Sequence, residues 1–300
     1  MGRLIVNADD FGLTPGVNRA IAELHRMGVL TSASLMARGS ATEEAIAWAL
    51  QTPSLSVGCH VILLDGLPAL SPLTGIPNLA DAVTGRFRPS LPNFLHAVHR
   101  SWPSTAPLPL EDEIEAETAA QIALLQRRGL RLTHIDTHKH AHMFPAVLRP
   151  VLRAARAAGI PAVRNPFEPA WSRRATPRAS LLRRIQVGLL PRLQPAFLRI
   201  VAEHGLATTD GALGVLATGT LDLAAIRSLA QNLPPGSWEL VTHPGYCDSD
   251  LDRVPTRLRS SREIELHALS KLASQAGLEL IGYAQLATIQ DAPAPHEPVK

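Results

Sequence analysis

The sequence predicts an α/β protein folded as a single (β/α) barrel, TIM-like in plan and irregular where long loops interrupt it. Two observations point there. Short β-rich runs alternate with amphipathic helical stretches through most of the chain, which implies a parallel sheet covered by helices. About eight such units can be read, the number that closes a barrel. An open, doubly wound sheet fits the alternation nearly as well, and no internal repeat is visible.

The elements follow in order. The first strand is expected at RLIVNA (3–8). The first helix, GVNRAIAELHRMG (16–28), brings Val17, Ile21, Leu24 and Met27 back at helical spacing. LTSASLM (30–36) and TEEAIAWALQ (42–51) form the second unit. SVGCHVIL (56–63) is the third strand, and its helix, EDEIEAETAAQIALLQRRG (111–129), is deferred. Between them the rhythm breaks over 65–110, a stretch rich in Pro and Leu, which reads as a long βα loop with short helices. RLTHID (131–136) and PAVLRPVLRAARAAG (145–159) make the fourth unit, and PAVR (161–164) the fifth strand. A second interruption covers 166–205. ALGVLA (212–217) with LDLAAIRSLAQN (221–232), WELVTH (238–243) with SREIELHALSKLASQAG (261–277), and LELIGY (278–283) complete the series. Several helices open on Ser, Thr, Pro or acids and end in Gly, as helix ends require. One domain is expected over 1–285, its two long loops forming substrate walls, with 286–300 as a disordered tail.

Composition removes several function classes. An apolar share of 46% beside 18% charged residues belongs to a globular chain that buries a sizeable core. No apolar run approaches the ~20 residues of a membrane helix. The first strand begins by Leu4, so no secretory signal is expected, and Met1-Gly2 lacks the Ser or Thr at position 6 that myristoylation prefers. The expected location is cytoplasmic. With a net charge of +3 and 4% aromatic residues, nucleic acid is not an expected partner. The densest basic stretch, WSRRATPRASLLRR (171–184), reads as a solvated face or mobile loop; its sharper reading is a surface that meets anionic lipid or phosphate. Cys59 and Cys247 make no disulfide framework and read as small buried hydrophobes.

Chemistry in a parallel barrel gathers at the C-terminal strand ends, and polar residues crowd there. The first strand ends in Asp9 and Asp10, within NADDFG. The third carries His60. The fourth ends in HIDTHKHAH, with His134, Asp136, His138, His140 and His142. Arg164 closes the fifth and His243, in THPGY, the strand at 238–243. In extended chain, residues two apart share a face, so His134, Asp136 and His138 point the same way. A carboxylate and two imidazoles from three strands make a facial metal site with open positions, the form of a catalytic centre. Zn is the first choice for mixed nitrogen and oxygen ligands, with Mg, Co, Ni or Mn as alternatives. The paired aspartates then gain a reason: one ligates the cation and its neighbour takes a proton from water. Because adjacent strand residues face opposite sides, the chain must turn, and Phe11-Gly12 suits that turn. The plain alternative makes Asp9 or Asp10 an N-cap for the helix at 15–27.

NADDFG, GCH, HIDTHKHAH and LVTHPGY, followed by TRLRSSREIELHAL, resemble the YdjC-like carbohydrate deacetylases, in order across residues 3–270. TSASLMARGSA and GIPAVRNPFEP lie closer to the hopanoid-associated branch than to the chitooligosaccharide deacetylases. The resemblance implies a (β/α) barrel with an Asp-His-His triad: Asp10, His60 and His138 as ligands of one divalent metal per chain, and Asp9 as catalytic base. His138 is preferred to His140 by its place in the motif. His243 falls where a general acid or substrate contact is expected, and histidine alone ordinarily titrates near neutral pH. His140 and His142 go to substrate contact or support of the ligands. Arg164 and Arg262 orient one of these groups or the sugar, or serve as structural ion-pair partners. The implied reaction is hydrolysis of an N-acetyl group from an amino sugar, either a chitooligosaccharide or a lipid-linked N-acetylglucosamine. The competing readings are a non-catalytic sugar-binding barrel and a metal-dependent hydrolase of another bond, a phosphoester or cyclic amide. The apolar stretch at 65–110 and the leucine-bearing segment at 171–200 suit either a lipid-linked substrate or a homodimer interface.

Overall fold

A parallel sheet organises the computed structural model, which describes residues 2–71, 75–81, 83–87, 94, 110–176, 179, 181–272 and 278–291. Its strands are β1 (Gly2–Phe11), β2 (Ser32–Leu35), β3 (Ser56–Val61), β4 (Ile135–Thr137), β5 (Ala162–Val163), β6 (Ala207–Thr208), β7 (Gly211–Leu213), β8 (Gly236–Thr242) and β9 (Glu279–Leu280). Neighbours run β6-β5-β4-β3-β2-β1-β8-β7, with β9 beside β1. Every pairing is parallel. The two ends of that order, β6 and β7, are separated in the chain only by Thr209 and Asp210. Two residues span at most about 10 Å, so the sheet must curl far enough to bring its two edges near each other. No ladder joins β6 to β7 among the described residues. The result is an α/β barrel-like sheet whose seam is bridged by covalent chain.

The helices are α1 (Pro15–Arg26), α2 (Thr42–Leu50), α3 (Leu110–Arg127), α4 (Pro145–Ala157), α5 (Ala170–Ala175), α6 (Leu181–Leu189), α7 (Gln194–His204), α8 (Leu223–Gln231), α9 (Arg259–Ser270) and α10 (Tyr283–Asp291). Side-chain alternation along β1 separates two environments. Leu4, Val6 and Ala8 join the large apolar cluster shared with the helices, whereas Ile5 packs with Ala162, Ile281, Tyr283 and Leu286 inside the curl. Ile5 is followed on its face by Asn7 and Asp9, so the interior is apolar at one end and polar toward the C-terminal strand ends. Helix α10 closes the apolar end.

Several expectations change at this point. Thr14, not an aspartate, caps α1: its hydroxyl accepts from Val17 N at 3.3 Å, with Pro15 in the first turn. The interruption at 166–205 is mostly helical, supplying α5, α6 and α7. Strand β6 went unseen because two residues carry no period. LELIGY yields only two strand residues before α10 begins, and the tail expected from 286 starts as that helix; residues 292–300 lie outside the described residues. Much of 65–110 lies outside them too. Its described parts are pinned to α3 by buried carboxylates: Glu113 accepts from Asn78 N at 2.9 Å and Leu79 N at 3.0 Å, and Glu117 from Ala69 N at 2.7 Å and Leu70 N at 2.9 Å. Both cysteines are free.

Candidate active site

The neighbouring aspartates reach one mouth because β1 breaks its own alternation. Its register against β2 shifts between Ala8 and Phe11, and Asp10 takes a left-handed φ of 63°. Aspartate tolerates that region better than bulkier residues. The turn therefore begins at Asp10, one residue before the expected Phe11-Gly12, and Gly12 continues it at φ 87°. His60 arrives from β3, in register with Asp136 on β4. His138 follows β4 directly, and the chain then curls through Lys139 and His140, both left-handed, with φ of 56° and 53°.

Asp10, His60 and His138 converge. His60 Nε2 and His138 Nδ1 each stand 3.6 Å from Asp10 Oδ1 and 3.4 Å from each other. Donors some 3.5 Å apart lie about 2 Å from their common centre (separation divided by √3), the length of Zn–N and Zn–O bonds. The other oxygen of Asp10 and the other nitrogen of His60 are committed elsewhere, which aims the free ones inward. Asp10 Oδ2 accepts from Arg262 Nη2 at 2.5 Å, and His60 Nδ1 faces Asp136 Oδ1 at 2.7 Å. That second contact holds the Nδ1 proton and turns Nε2 toward Asp10, as carboxylates behind metal-binding histidines do; the Nε2 proton is the one an arriving cation would displace. Burial works to raise the Asp10 carboxyl, yet Arg262, His138 and His60 together outweigh it and hold it well below its usual range. For His60 burial opposes charge, but Asp136, Asp9 and Asp10 prevail and keep it at about 9. The field is thus strongly cation-attracting, and the donor set fits one divalent ion. Asp9, His60 and Asp136 form a second, overlapping group.

Asp9 is held apart from that set. Arg164 grips it with both ends of its guanidinium, Nη1 to Oδ2 at 2.9 Å and Nη2 to Oδ1 at 2.6 Å, and Asn7 Nδ2 adds a bond at 3.0 Å. Burial pushes this carboxyl up, and Arg164, joined by His60, more than reverses it, so Asp9 stays ionised. Arg164 is wholly buried and also meets Asp136 Oδ2 at 2.6 Å and Glu239 Oε1 at 2.7 Å. Of its two expected uses, ion pairing and orienting a carboxylate are one and the same here. Around it lies a polar layer the sequence reading passed over. Ser34 Oγ donates to Asp136 Oδ2 at 2.8 Å, His134 Nε2 meets Ser34 Oγ at 3.2 Å, and Tyr283 OH donates to Glu239 Oε2 at 2.5 Å. Glu239 was legible as the one charge in WELVT, a strand otherwise apolar or neutral.

His243 lies at the end of β8 with Nε2 3.8 Å from Asp9 Oδ2. Burial drives its pKa down to about 4, against the expected near-neutral titration. Behind it, the buried Glu265 of α9 accepts from His243 N at 2.6 Å and faces His243 Nδ1 at 3.9 Å. Burial lifts Glu265 to about 8, so at neutral pH the proton of this pair resides on the carboxyl. Glu265 also escaped the sequence reading; its signal was an acid four residues after the start of SREIE, on the face shared with Arg262. His142 turns away from the mouth: Nδ1 meets Thr137 Oγ1 at 2.8 Å and Nε2 meets the Arg164 carbonyl at 3.1 Å. It ties the histidine loop to β5 and is not placed to touch substrate. His140 stays near the mouth, its Nδ1 buried and without a hydrogen-bond partner among the described residues.

A curled parallel sheet with carboxylates and imidazoles gathered at its C-terminal strand ends defines an α/β barrel-like protein whose polar cluster sits where barrel enzymes carry their chemistry. The chain belongs to the YdjC-like protein family, whose sequence profile matches residues 3–279. A curated carbohydrate deacetylase from Brevibacillus brevis is 42% identical over 165 residues, a match covering 55% of this chain and 60% of that protein. The chain therefore spans about three fifths of that relative's length in the match. A solved structure from Enterococcus faecalis, provisionally named a cellobiose-phosphate cleavage protein, is similar with a TM-score of 0.73 at 26% identity, over 95% of this chain and 98% of that one. No helix among the described residues is long and apolar enough to cross a membrane.

Proposed function

We propose that this chain is a metal-dependent deacetylase that hydrolyses the N-acetyl amide of an amino sugar. The observation that carries the reading is Asp9, gripped by Arg164 outside the donor triangle of Asp10, His60 and His138 yet at the same mouth. Asp10 Oδ1, His60 Nε2 and His138 Nδ1 would hold the cation. When bound, a divalent ion supplies Lewis-acid polarisation of the acetamide and lowers the pKa of water at the site. Zn suits the two imidazoles and one carboxylate; the donor set also admits Mg, Co, Ni or Mn.

The protein's own groups divide the remaining work. Asp9 is the base that removes a proton from the attacking water, kept ionised by Arg164 and oriented by Asn7. An amine leaves only once protonated, so a second group must deliver a proton to the amide nitrogen. His243 Nε2 stands beside Asp9 and does this, with Glu265 as the proton-bearing group behind it. His140 borders the mouth and is assigned to contact with the sugar. The similarity to a carbohydrate deacetylase supports this class of reaction over a phosphoester or cyclic amide, and the pairing of Asp9 with His243 is more than a sugar-binding barrel needs.

Acetate release from N-acetylglucosamine, chitobiose and a glycosylated lipid tests the reading, before and after chelation and return of Zn. Release that stops on chelation and returns with the ion is expected. Unchanged release in chelator, or no release from any N-acetyl sugar by the metal-replete protein, overturns it.

A further inference from the structure

Between Glu168 and Glu203 the sequence holds no acidic residue and seven arginines. The structure makes this segment a helical arm: α5, α6, a short 3₁₀ turn at Leu190–Leu193, and α7. Val187, Phe197, Ile200 and Val201 bury its inward face. A surface helix ordinarily turns polar residues to water, but this arm turns large apolar ones outward as well. Ile185 and Leu189, one turn apart on α6, are 53% and 49% exposed, and Leu198 on α7 is 40% exposed. Between and beside them stand the exposed Arg192 and Arg199.

The arm is fixed in place by its other arginines. Arg183 Nη2 donates to Val215 O at 3.0 Å, Arg184 Nη2 to Thr176 O at 2.7 Å, and Arg173 Nη1 to Glu168 O at 2.9 Å. Val215 lies just beyond β7, and the arm leaves β5 just beyond Arg164. It therefore sits at the C-terminal end of the sheet, the end that carries the candidate active site.

We propose that the outward face of α6 and α7 is a peripheral docking surface for anionic lipid bilayers. Two requirements select this occupant. Exposed Ile and Leu call for hydrocarbon, and a field of arginines whose one acid, Glu203 at the end of α7, stands 3.8 Å from Arg199 calls for negative charge; an anionic bilayer interface supplies both at once. A second copy of the chain, packed about a two-fold axis on this face, would set arginines against arginines. Nucleic acid would use stacking aromatics, which this outward face does not present. Docking in this way sets the candidate active site beside the headgroup layer. The inference goes beyond the proposed deacetylase activity and does not depend on it.

The test is co-sedimentation of the full chain with vesicles of phosphatidylcholine alone, and of phosphatidylcholine with phosphatidylglycerol, over a range of salt. Binding to the anionic vesicles only, weakening as salt rises, is expected. Arg192→Glu with Arg199→Glu, and separately Ile185→Ser with Leu189→Ser, should each weaken it on the order of tenfold or more, with melting temperatures unchanged because these side chains face solvent. Equal binding to neutral vesicles, binding indifferent to both variants, or no binding to either vesicle overturns the proposal. A dimer of the parent chain that Ile185→Ser with Leu189→Ser dissociates, in the absence of vesicle binding, assigns the face to a second copy and overturns it equally. None of these readings involves turnover, so failure here leaves the deacetylase reading to its own test.

Discussion

Replacing Asp136 by Asn isolates the support behind the donor triangle without altering its shape. The carboxylate serves three partners: His60 Nδ1 at 2.7 Å, the donating Ser34 Oγ at 2.8 Å and Arg164 Nη1 at 2.6 Å. An amide keeps one accepting oxygen and turns the other into a donor. Either Arg164 and Ser34 then face an N–H, or His60 loses its acceptor. One buried donor left without an acceptor costs about 1–3 kcal/mol of stability. The lower half of that range applies, because Asp9 and Glu239 continue to neutralise Arg164. Losing the carboxylate behind a metal-binding histidine typically weakens metal affinity 10–100-fold, or about 1.4–2.8 kcal/mol. Asp136→Asn should therefore melt a few degrees below the parent and bind Zn at least tenfold more weakly, read by titration against a chromophoric chelator. A folded Asp136→Asn protein with the parent's Zn affinity would refute the claim that Asp136 prepares His60 as a donor.

Asp9→Asn should retain the metal but lose turnover by on the order of 10²–10⁴-fold; near-parental acetate release would remove Asp9 from the role of base. His60→Ala, in contrast, should lose both metal and activity, and metal retained at one ion per chain would place the site elsewhere. Burial lowers His142 from 6.5 to about 4, so between those values the unfolded chain binds a proton that the folded one does not. Stability is complete above pH 6.5 and declines toward pH 4 by roughly 3 kcal/mol for this group; His142→Gln, melted in chelator, should flatten that acid limb by a comparable amount, and an unchanged limb would show that His142 does not titrate there. A methyl group at Gly58 would stand 2.4 Å from His134 Nε2, so Gly58→Ala should cost about 1–3 kcal/mol by overpacking, and a neutral result in thermal unfolding would mean the His134 ring moves freely.

How much of this was legible depended on the reach of each signal. Alternating elements located the long strands and helices because their periods extend over many residues. Strand β6, with two residues, carries no period to read, and β9, expected over the six residues of LELIGY, is cut to two by α10. Asp9, Asp10, His60, His138 and His243 were nameable because chemistry concentrates their residue types at strand ends. What the sequence hid was pairing. Glu239 and Glu265 look like ordinary charges in a strand and on a helix, and only the curl of the sheet brings them against Arg164 and His243, residues 75 and 22 positions away. The turn at Asp10 shows the same limit. Sequence required that the chain bend near the paired aspartates, but the natural candidate was Gly12, and the left-handed residue proves to be the aspartate itself.

The interior of the curl presents a physical puzzle whose resolution bears on mechanism. A barrel of this width is ordinarily filled with branched aliphatic side chains, and replacing buried ion pairs by such residues tends to be neutral or stabilising. Here Asn7, Ser34, His134, Asp136, Arg164 and Glu239 occupy that volume, so stability alone does not account for the choice. Their arrangement supplies two things that apolar packing could not. It turns His60 Nε2 into the mouth by holding Nδ1 through Asp136, and it keeps a buried Asp9 ionised through Arg164 against the desolvation that raises its pKa. The proposed base must be charged before its substrate arrives, and the proposed ligand must turn one nitrogen toward the cation. Both conditions are built into the layer beneath the mouth, where Arg164 joins Asp9 to Asp136. The stability given up in that layer goes into preorganising the two groups on which the proposed hydrolysis depends.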